Sequence, residues 1–526
     1  MRSASAESGN SDAAPLDDLW RLVEWRAART PDDQYLSDDY GRSLTFGEFA
    51  AAAEQVAAGL AEFGVGTGTR VMWQLPTALE AIVLSAALAR LGAVQNPVIA
   101  MFREAELRSL NEQFRPELVV TVSSWRGFEH RDVITAVVGP DVPVLVSDHW
   151  TAGAGLALPQ GDPARLPEPA PSEGARWIYT TSGSTGGPKG VKHSDATLIN
   201  SSNSISEQFP WLATDVYAFS FPYGHIGGGS LLANSMRTAH RMVLFDVFDP
   251  VETPKRMAAH GATILGSATP FFLAFLAAQR AHGPAPLFDR LRICCGGGAP
   301  IPLDLDEQIR AQLGGIGVSD GYGLTEFPMA GYPDPADEQA RRLSMWVPGP
   351  GVQVRIVDLD GRECATGQSG ELRLDGPQKF LGYLDSSRNA EAFDEQGYVR
   401  TGDLAAVDEQ GRILITGRLK EIVVRNGENI SMAEVEAVIA GHPGIEDVAV
   451  IGLPDAKRGE ICCAVVAPSA GGPAVTLDGL AEVCIAAGLA KYKIPEQIEI
   501  VPAIPRNAMG KVQRNLVRAQ LRAHAE

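Results

Sequence analysis

The sequence has no long uninterrupted apolar run, although hydrophobic residues make up 45% of its 526 positions. A membrane-spanning helix needs roughly 18 consecutive apolar residues, and no stretch approaches that length. The N-terminus is rich in Ser, Ala, Asp and Glu and has no apolar centre, so it does not resemble a secretory signal. We therefore expect a soluble, cytoplasmic protein without a membrane span, and a disordered tail over residues 1–15.

Cysteine is scarce, and the usual metal-binding spacings are missing. The six cysteines include two adjacent pairs, Cys294-Cys295 and Cys462-Cys463. No Cys-x-x-Cys or Cys/His spacing occurs, which disfavours a disulfide framework and a structural zinc site. The nine histidines are scattered and no His-Glu-x-x-His occurs, which excludes a zinc protease of that type. We expect reduced, buried thiols.

Positive charge is in deficit, with 45 Lys and Arg against 64 Asp and Glu and a formal net charge of −19. This balance argues against nucleic acid or an anionic membrane as a partner. A polyanionic ligand would need local positive charge, and the end of the chain supplies some. The basic residues there are Arg506, Lys511, Arg514, Arg518 and Arg522. The high usage of Ala, Gly and Arg is typical of a GC-rich bacterial genome.

The pattern of apolar residues predicts α/β layering up to about residue 330. Helical periodicity over residues 45–63 and 78–91 alternates with short apolar runs that are typical of strands. These runs lie at residues 118–122, 144–146, 242–245 and 262–265. Such alternation predicts largely parallel sheets. Residues 352–374 show short strands with Asp-Gly turns instead, which predicts a small β subdomain.

A second α/β unit is expected near the C-terminus. The segment 403–417 has the composition of a linker. After it come two helical windows, at 434–440 and 477–487, and two apolar runs, at 448–451 and 463–466. We therefore predict an α/β fold with some α+β elements, in which a large N-terminal domain spans residues 16–417 and a small C-terminal domain spans residues 418–526.

One loop, from Tyr179 to Val191, concentrates glycines and hydroxyls around Lys189. Four glycines within eight residues allow successive backbone N–H groups to face one concavity, and such a nest binds polyphosphate. The loop is not a Walker A sequence, because Pro188 and Gly190 flank the lysine. Taken alone, its simpler interpretation is a flexible Gly/Ser surface loop.

Four further segments follow this loop in order. They are Tyr322-Gly323-Leu324-Thr325-Glu326, residues 398–404, Gly417-Arg418-Leu419-Lys420 and residues 505–511. Together the five segments resemble the adenylate-forming superfamily, which includes acyl-CoA synthetases, nonribosomal-peptide adenylation domains and beetle luciferases. The resemblance extends from about Leu16 to about Arg522. It implies an AMP-forming acyl-CoA synthetase that binds ATP and the acid in its large domain, and it allows a homodimer.

The implied reaction converts a small carboxylic acid and ATP to an acyl-adenylate, which then forms a thioester with coenzyme A. Mg²⁺ would be held by Glu326, since this cation prefers a few oxygen ligands, and Thr325 would contact the α-phosphate. The other phosphates would be held by Thr181, Ser182, Gly183, Ser184, Thr185 and Lys189. Taken alone, a Thr-Glu pair after glycine is more often a helix N-terminus.

The resemblance also implies a nucleoside site. Its adenine would lie between the glycine-rich strand end and Tyr322, and Asp403 would accept hydrogen bonds from the ribose hydroxyls, with Arg418 nearby. The remaining residues of this site would be Gly297, Gly298, Ala299, Pro300, Asp320 and Gly323. Without the resemblance, the glycines indicate a tight turn after a strand, and an aspartate after glycine is usually a turn residue.

Lys511 is the expected catalytic residue, because its ammonium could bridge the attacking carboxylate and the α-phosphate oxygens. Outside the motif it would be a solvated lysine. The resemblance implies that the small domain is mobile and rotates about a hinge at Lys420 between the two steps. Gly427 would then lie beside the pantetheine arm of coenzyme A.

The acyl pocket is expected around His225, Gly228, Gly229 and Met329. The segment that contains these residues, 221–229, does not begin with an aspartate, and this disfavours an amino acid as the substrate. The glycines remove side-chain volume, which predicts a roomy, apolar pocket for a bulky or alicyclic acid. The resemblance matches His225 to an aromatic or histidine gate near this pocket and implies that it is catalytic together with Lys511, Thr325 and Glu326. Taken alone, a histidine here is more often part of the core.

Two departures from the family pattern leave alternatives open. Trp346-Val347-Pro348 stands where many relatives have Gly-Arg-Pro, and we expect the bulky indole and the lost guanidinium to alter the substrate side of the site. Ser431-Met432 replaces the common Ser-Pro. An enzyme of one half-reaction, or one that loads a carrier protein, is therefore an alternative, as is a non-catalytic nucleotide-binding module. A hydrolase elbow at residues 317–321 is a chance match, because a poor strand precedes it.

Overall fold

The computed structural model describes residues 13–148, 150–181, 188–298, 301–302, 304–358, 360–425, 428–455, 457–506 and 511–525. Most of the predicted disordered tail, residues 1–12, therefore lies outside the described residues. Ala14, in the remainder of that segment, packs against the main hydrophobic core.

The strands and helices follow the periodicity of the sequence closely. The strands are β1 (Gln34–Asp38), β2 (Ser43–Thr45), β3 (Arg70–Gln74), β4 (Val94–Pro97), β5 (Leu118–Thr121), β6 (Val144–Val146), β7 (Trp177–Thr181), β8 (Lys189–His193), β9 (Val216–Phe219), β10 (Arg241–Leu244), β11 (Ile264–Ser267), β12 (Ile293–Gly297), β13 (Val318–Leu324), β14 (Phe327–Tyr332), β15 (Val347–Pro348), β16 (Gln353–Val357), β17 (Gly370–Asp375), β18 (Val399–Val407), β19 (Ile413–Arg418), β20 (Ile422–Arg425), β21 (Glu428–Ser431), β22 (Ile445–Asp455), β23 (Gly459–Pro468) and β24 (Gln497–Ile500). The helices are α1 (Leu19–Arg29), α2 (Phe46–Glu62), α3 (Leu79–Arg90), α4 (Glu104–Phe114), α5 (His130–Val138), α6 (Asp195–Gln208), α7 (Ile226–Thr238), α8 (Thr253–Ala259), α9 (Thr269–His282), α10 (Leu305–Gln312), α11 (Glu338–Arg342), α12 (Asn389–Ala392), α13 (Met432–Ile439), α14 (Leu477–Ala486) and α15 (Arg514–Ala525).

Two large sheets, both mostly parallel, form the first part of the chain. The six-stranded sheet has the order β6-β5-β3-β4-β7-β8, and the nine-stranded sheet has the order β15-β14-β13-β12-β11-β9-β10-β1-β2. Among the described residues, antiparallel pairing occurs only at the margins of these sheets, at β8 in the first and at β2, β14 and β15 in the second. The predicted α/β layering is confirmed.

Helices pack between the two sheets and on their outer faces. The main core contains side chains from both sheets and from helices α1, α2, α3, α6 and α7. Helices α4 and α5 cover the other face of the six-stranded sheet, and helices α8 to α10 cover that of the nine-stranded sheet. Strand β5 shows why, since all four of its residues are buried, as expected of a strand that is covered on both faces.

The carboxyl ends of β11, β12 and β13 meet at one edge of the nine-stranded sheet. Their register sets Ser267 beside Gly296 and Gly296 beside Asp320, and the next pair is Gly297 with Gly321. Ligands of parallel sheets bind outside this edge. The glycine-rich strand end and the Tyr322 motif are therefore neighbours in space.

The small β subdomain is a four-stranded antiparallel sheet in the order β16-β17-β18-β19. The prediction of a linker over residues 403–417 is wrong, because this segment forms most of the β18–β19 hairpin. Ala405 and Ile413 are fully buried, and the turn closes with the Gly411 N–H donating to the Asp408 carbonyl. The small residues and the polar turn of this segment are also typical of a linker, and the prediction did not take into account that some of the residues between them are buried strand residues.

The C-terminal part has its own sheet, in the order β21-β20-β23-β22 with β24 beside β23. Helices α13 and α14 contribute Val435 and Leu480 to its core. The predicted helices and strands of this unit are present. The four-stranded sheet ends at Arg418 and this sheet begins at Ile422, although the domain boundary at residues 417–420 stays a prediction.

All six cysteines are free thiols. Five of them are buried, and Cys364 is half-buried. Within the described ranges, no group of three or more His, Cys, Asp or Glu side chains is arranged to hold a metal ion. None of the helices in these ranges has the length and apolarity to cross a membrane.

Candidate functional site

The predicted phosphate loop joins two antiparallel strands, β7 and β8, which pair Thr181 with Lys189. Ser182, Gly183, Ser184 and Thr185 lie outside the described residues. The far end of the loop is clamped by Gln113 of α4, whose amide donates to the Pro188 carbonyl at 2.8 Å and accepts from the Gly190 N–H at 3.2 Å. The sequence carried no signal for Gln113, because a glutamine in a helix is usually a surface residue.

Tyr383 joins the phosphate loop to the predicted metal ligand. The Lys189 ammonium lies 5.2 Å from the centroid of its ring, and its hydroxyl donates to Glu326 Oε1 at 2.7 Å. Burial raises the pKa of Tyr383, and the Glu326 carboxylate raises it further, so the phenol stays a donor. Sequence reasoning missed Tyr383, because the run Phe380-Leu381-Gly382-Tyr383 is typical of a hydrophobic core.

Thr325 and Glu326 form the tight turn between β13 and β14, which pair Leu324 with Phe327. The alternative of a helix N-terminus is therefore wrong. Buried His193 lies with Nε2 at 2.8 Å from the Thr325 carbonyl oxygen, and the Phe380 N–H donates to the Glu326 carbonyl at 3.1 Å. These two bonds fix the turn from both sides.

Tyr322 has one ring face covered. It stacks on Trp346 with ring centroids 5.0 Å apart and an interplanar angle of 10°. The Trp346 indole is fully buried in the core of the β subdomain. The indole therefore packs behind Tyr322, and the expectation that Trp346 alters the substrate side of the site stays a prediction.

The glycines of the nucleoside site differ in what they do. Gly298 has φ +83° and open space around it, which fits the close approach of a flat ring. A Cβ on Gly323 would lie 2.5 Å from the Met329 nitrogen, so the hairpin itself requires that glycine. Ala299 and Pro300 lie outside the described residues.

Asp320 is a buried acid with one carboxylate oxygen, Oδ1, that has no hydrogen-bond partner within the described part of the chain. That oxygen lies 3.1 Å from the position of a Cβ on Gly296. Burial raises the pKa of Asp320 to about 7. A buried acceptor beside bare strand backbone fits the amino group of a nucleobase.

Asp403 lies opposite Arg418 in the β18–β19 hairpin. Its Oδ1 pairs with Arg418 Nε at 2.8 Å, and its Oδ2 accepts from the Tyr322 hydroxyl at 2.6 Å. A carboxylate has about four acceptor positions, so both oxygens keep a lone pair for ribose hydroxyls. The structure thus brings Tyr322, Asp403 and Arg418 together.

Lys511 interacts electrostatically with these groups. Its pKa is lowered first by burial and then by the nearby Arg418 charge, while the carboxylates of Asp403 and Glu326 oppose that effect. Burial lowers the pKa of His225 to about 4, and the Lys511 charge contributes. The small-domain lysine and the residues of the large domain therefore share one electrostatic environment.

Comparison with known proteins agrees with this geometry. A model described as AMP-binding enzyme matches residues 23–384, and a second, AMP-binding enzyme C-terminal domain, matches residues 434–511. The chain belongs to the AMP-binding enzyme family. The predicted superfamily is thereby confirmed.

Relatives and solved structures match over nearly the whole chain. A sulfoacetate–CoA ligase of Cupriavidus necator is 32% identical over 95% of this chain and 97% of its own. A medium-chain fatty-acid–CoA ligase of Escherichia coli is 30% identical over 99% and 93%. The O-succinylbenzoate coenzyme A synthetase of Bacillus subtilis, in complex with ATP and magnesium, is 25% identical with a TM-score of 0.81 over 94% and 99%. At the level of the family, these proteins confirm an acid–thiol ligase that uses ATP, Mg²⁺ and coenzyme A.

The predicted acyl pocket of this AMP-binding enzyme is not opened by Gly228 and Gly229. A Cβ on Gly228 would lie 2.0 Å from the Tyr223 carbonyl oxygen, and one on Gly229 would lie 2.4 Å from the Tyr179 hydroxyl. The inference from these glycines to a roomy pocket is therefore wrong, because Tyr223 and Tyr179 fill the volume. They are glycines so that the first turn of α7 can pack closely.

Other expected acyl-site residues lie near the nucleoside site. His225 caps α7 by accepting from the Gly227 N–H at 3.3 Å, and its ring packs edge-on to Phe221 with centroids 4.9 Å apart. The Met329 sulfur lies 2.8 Å from the position of a Cβ on Gly321. Their role in binding an acid stays a prediction.

The hinge and coenzyme A predictions fall on the junction of the two sheets. Lys420 is exposed in the 3-10 turn Leu419–Glu421, between β19 and β20. Gly427 lies outside the described residues. Ser431 caps α13 and donates to the Thr416 carbonyl at 2.8 Å.

The hydrolase elbow at residues 317–321 is not formed. Ser319 is fully buried within β13, which rules out a nucleophile elbow there.

Proposed function

We propose that this enzyme is a carboxylic acid:CoA ligase of the AMP-forming type that performs both half-reactions. In the first, a carboxylate oxygen attacks the α-phosphorus of ATP and pyrophosphate leaves. In the second, the thiol of coenzyme A attacks the acyl carbon and AMP leaves. The proposal is supported most by the contacts of Asp403, which pairs with Arg418 at 2.8 Å and accepts from the Tyr322 hydroxyl at 2.6 Å. Lys511 adds to this support, because its pKa responds to Asp403 and Glu326.

The side chains support the first step by charge and position. The Lys511 ammonium would neutralise charge on the attacking carboxylate and the α-phosphate oxygens, which is worth more in a desolvated site. Asp403 would orient the ribose and Asp320 the base. Glu326, oriented by Tyr383, would hold Mg²⁺, which when bound neutralises phosphate charge.

The proposed acid is hydrophobic. Support comes from the apolar surroundings of His225 and Met329, which pack against Phe221 and the main core. A bulky or alicyclic skeleton no longer follows from Gly228 and Gly229, so the size of the acid is left to measurement. A cytoplasmic location and a homodimer are likewise proposals.

A panel of acids tests the proposal. The purified enzyme with MgATP, with and without coenzyme A, is offered acids from acetate through medium-chain to alicyclic and polycyclic acids. Mass spectrometry then detects acyl-AMP and acyl-CoA. Acyl-CoA from an apolar acid is expected. Acyl-AMP without a thioester would indicate an enzyme that adenylates and loads a carrier protein, and a thioester formed only from synthetic acyl-AMP would indicate the second half-reaction alone.

Lys511→Ala separates an enzyme from a binding module. We expect acyl-AMP formation to fall by about 100-fold or more, the usual loss when one charge-stabilising group is removed. ATP binding, measured by calorimetry, should change little. The control is Lys491→Ala, at an exposed lysine of the same domain. Unchanged acyl-AMP formation in Lys511→Ala would contradict the proposal.

A further inference from the structure

Lys511 lies between two chain segments that pair with each other, residues 505–506 and residues 512–514, which we call the two legs. The Gln513 N–H donates to the Pro505 carbonyl at 2.8 Å, and Arg506 forms an antiparallel bridge with Val512. Residues 507–510, between the legs, lie outside the described residues. The position of Lys511 therefore depends on what anchors the two legs.

An arginine anchors each leg. Arg506 binds both oxygens of Asp447, at 2.6 and 2.9 Å, from a side chain that is 40% exposed. Arg514 is 12% exposed and binds Glu436 at 2.6 Å and the Val450 carbonyl at 3.2 Å. Guanidinium groups with several acceptors have a defined orientation, so Arg514 is the more rigid anchor.

Arg514 has a second carboxylate partner, Glu421, at 3.0 Å. Glu421 ends the turn that contains Lys420, the predicted hinge. Arg514 therefore connects the leg that follows Lys511 directly to the turn that contains the predicted hinge. Glu421 also acts on Lys511, whose pKa it raises against the effect of burial. The Glu421 carboxylate thus pairs with Arg514 and also interacts electrostatically with Lys511.

We propose that Arg514 is a positioning residue for adenylation: by binding Glu421 it keeps this carboxylate from drawing the Lys511 ammonium away from the reacting groups. The proposal rests on the proposed function, in which Lys511 serves the first half-reaction. Without Arg514, Glu421 and Glu436 lose a shared cation. Glu421 then competes for Lys511 with the attacking carboxylate and the α-phosphate.

The two half-reactions should respond differently to the loss of Arg514. A misplacement of about 1 Å in a reacting group can cost about 100-fold, so adenylation should fall by about that factor in Arg514→Gln. Thioester formation from synthetic acyl-AMP does not use the Lys511 ammonium on the α-phosphate, so its rate should stay within about 2-fold of the wild type.

A second substitution tests the competing carboxylate. In Arg514→Gln with Glu421→Gln, the competitor is gone, and we expect adenylation to recover by about 10-fold over Arg514→Gln alone, a coupling typical of residues in contact. Lys493→Gln, which breaks the 2.6 Å pair with Glu434 in the same domain, is the control and should leave both half-reactions unchanged. A purely structural role would give no such recovery.

The measurements are single-turnover formation of acyl-AMP, with the panel acid that the wild type uses best, and conversion of the matching synthetic acyl-AMP to acyl-CoA. Equal losses in both steps, or no recovery in the double variant, would overturn the role of Arg514. A wild type that makes no acyl-AMP would instead refute the proposed function. Hydrogen exchange of the Gln513 amide needs no substrate: it should accelerate in Arg514→Gln, and unchanged exchange would overturn the anchoring role.

Discussion

His193 is a buried histidine that holds the Thr325 turn as a neutral ring. Burial lowers its pKa from 6.5 to about 4, against the Thr325 hydrogen bond, which raises it. The Nε2–H is therefore assigned as the donor to the Thr325 carbonyl. A charged ring would remain a donor there, but it would have to be desolvated.

This burial makes stability depend on pH. In the unfolded chain His193 binds a proton below pH 6.5, whereas the folded protein resists protonation down to about pH 4. The free energy of unfolding should therefore fall as pH drops through that window, by up to about 1.4 kcal/mol per pH unit for this histidine. His193→Gln, which keeps a donor, should show a shallower fall in urea unfolding between pH 7 and pH 4.5. The comparison is made with His282→Gln, at an exposed histidine; equal slopes for His193→Gln and the wild type would refute the assignment.

The sequence predicted residues with distinctive chemistry better than it predicted their partners. Asp403, Glu326 and Lys511 were found because they stand in motifs, and the structure shows the partners of two of them, Tyr322 for Asp403 and Tyr383 for Glu326. His193 contacts Thr325 across 132 positions of the chain, and nothing in its local pattern indicates this. The partners are selected by tertiary packing, which periodicity and motif spacing do not encode.

Among the elements, α7 shows how a glycine run can be misinterpreted. Gly228 and Gly229 indicated free volume, but a helix turn that packs closely against Tyr223 and Tyr179 also needs glycine. The error arose because absent side chains were equated with empty space. The linker prediction failed similarly, since β18 and β19 bury residues such as Ala405 and Ile413 within a hairpin.

Gly229→Ala distinguishes close packing from an open pocket. The added methyl would meet the Tyr179 hydroxyl at 2.4 Å and Leu198 Cδ1 at 3.0 Å. Overpacking of this kind costs about 1–3 kcal/mol, so the melting temperature should fall by several degrees. The control is Gly155→Ala, where no atom lies within 4 Å of the new Cβ. A stable Gly229→Ala variant with altered acid selectivity would restore the pocket interpretation.

At the scale of the whole molecule, the charge distribution suits polyanionic substrates. The chain carries a formal net charge of −19, yet Lys189, Arg418 and Lys511 lie around the predicted phosphate and nucleoside positions. Arg418 ends β19, just before the predicted hinge, and Lys511 belongs to the predicted small domain. The positive charge of the site therefore depends on how the two parts of the chain are arranged.

Lys420→Pro tests whether that arrangement must change during the reaction. Proline fixes φ near −65°, which should block a rotation that is absorbed at this residue. Lys511 already lies in the electrostatic environment of Glu326 and Asp403, so acyl-AMP formation should persist in Lys420→Pro, while acyl-CoA formation from acyl-AMP should fall by about 100-fold. Lys420→Ala keeps the backbone free and should retain both steps, which shows that the loss is not due to the missing ammonium. Rapid-quench measurement of the two steps decides the matter: acyl-CoA formed by Lys420→Pro at the rate of Lys420→Ala would mean that the enzyme completes both half-reactions without turning about Lys420.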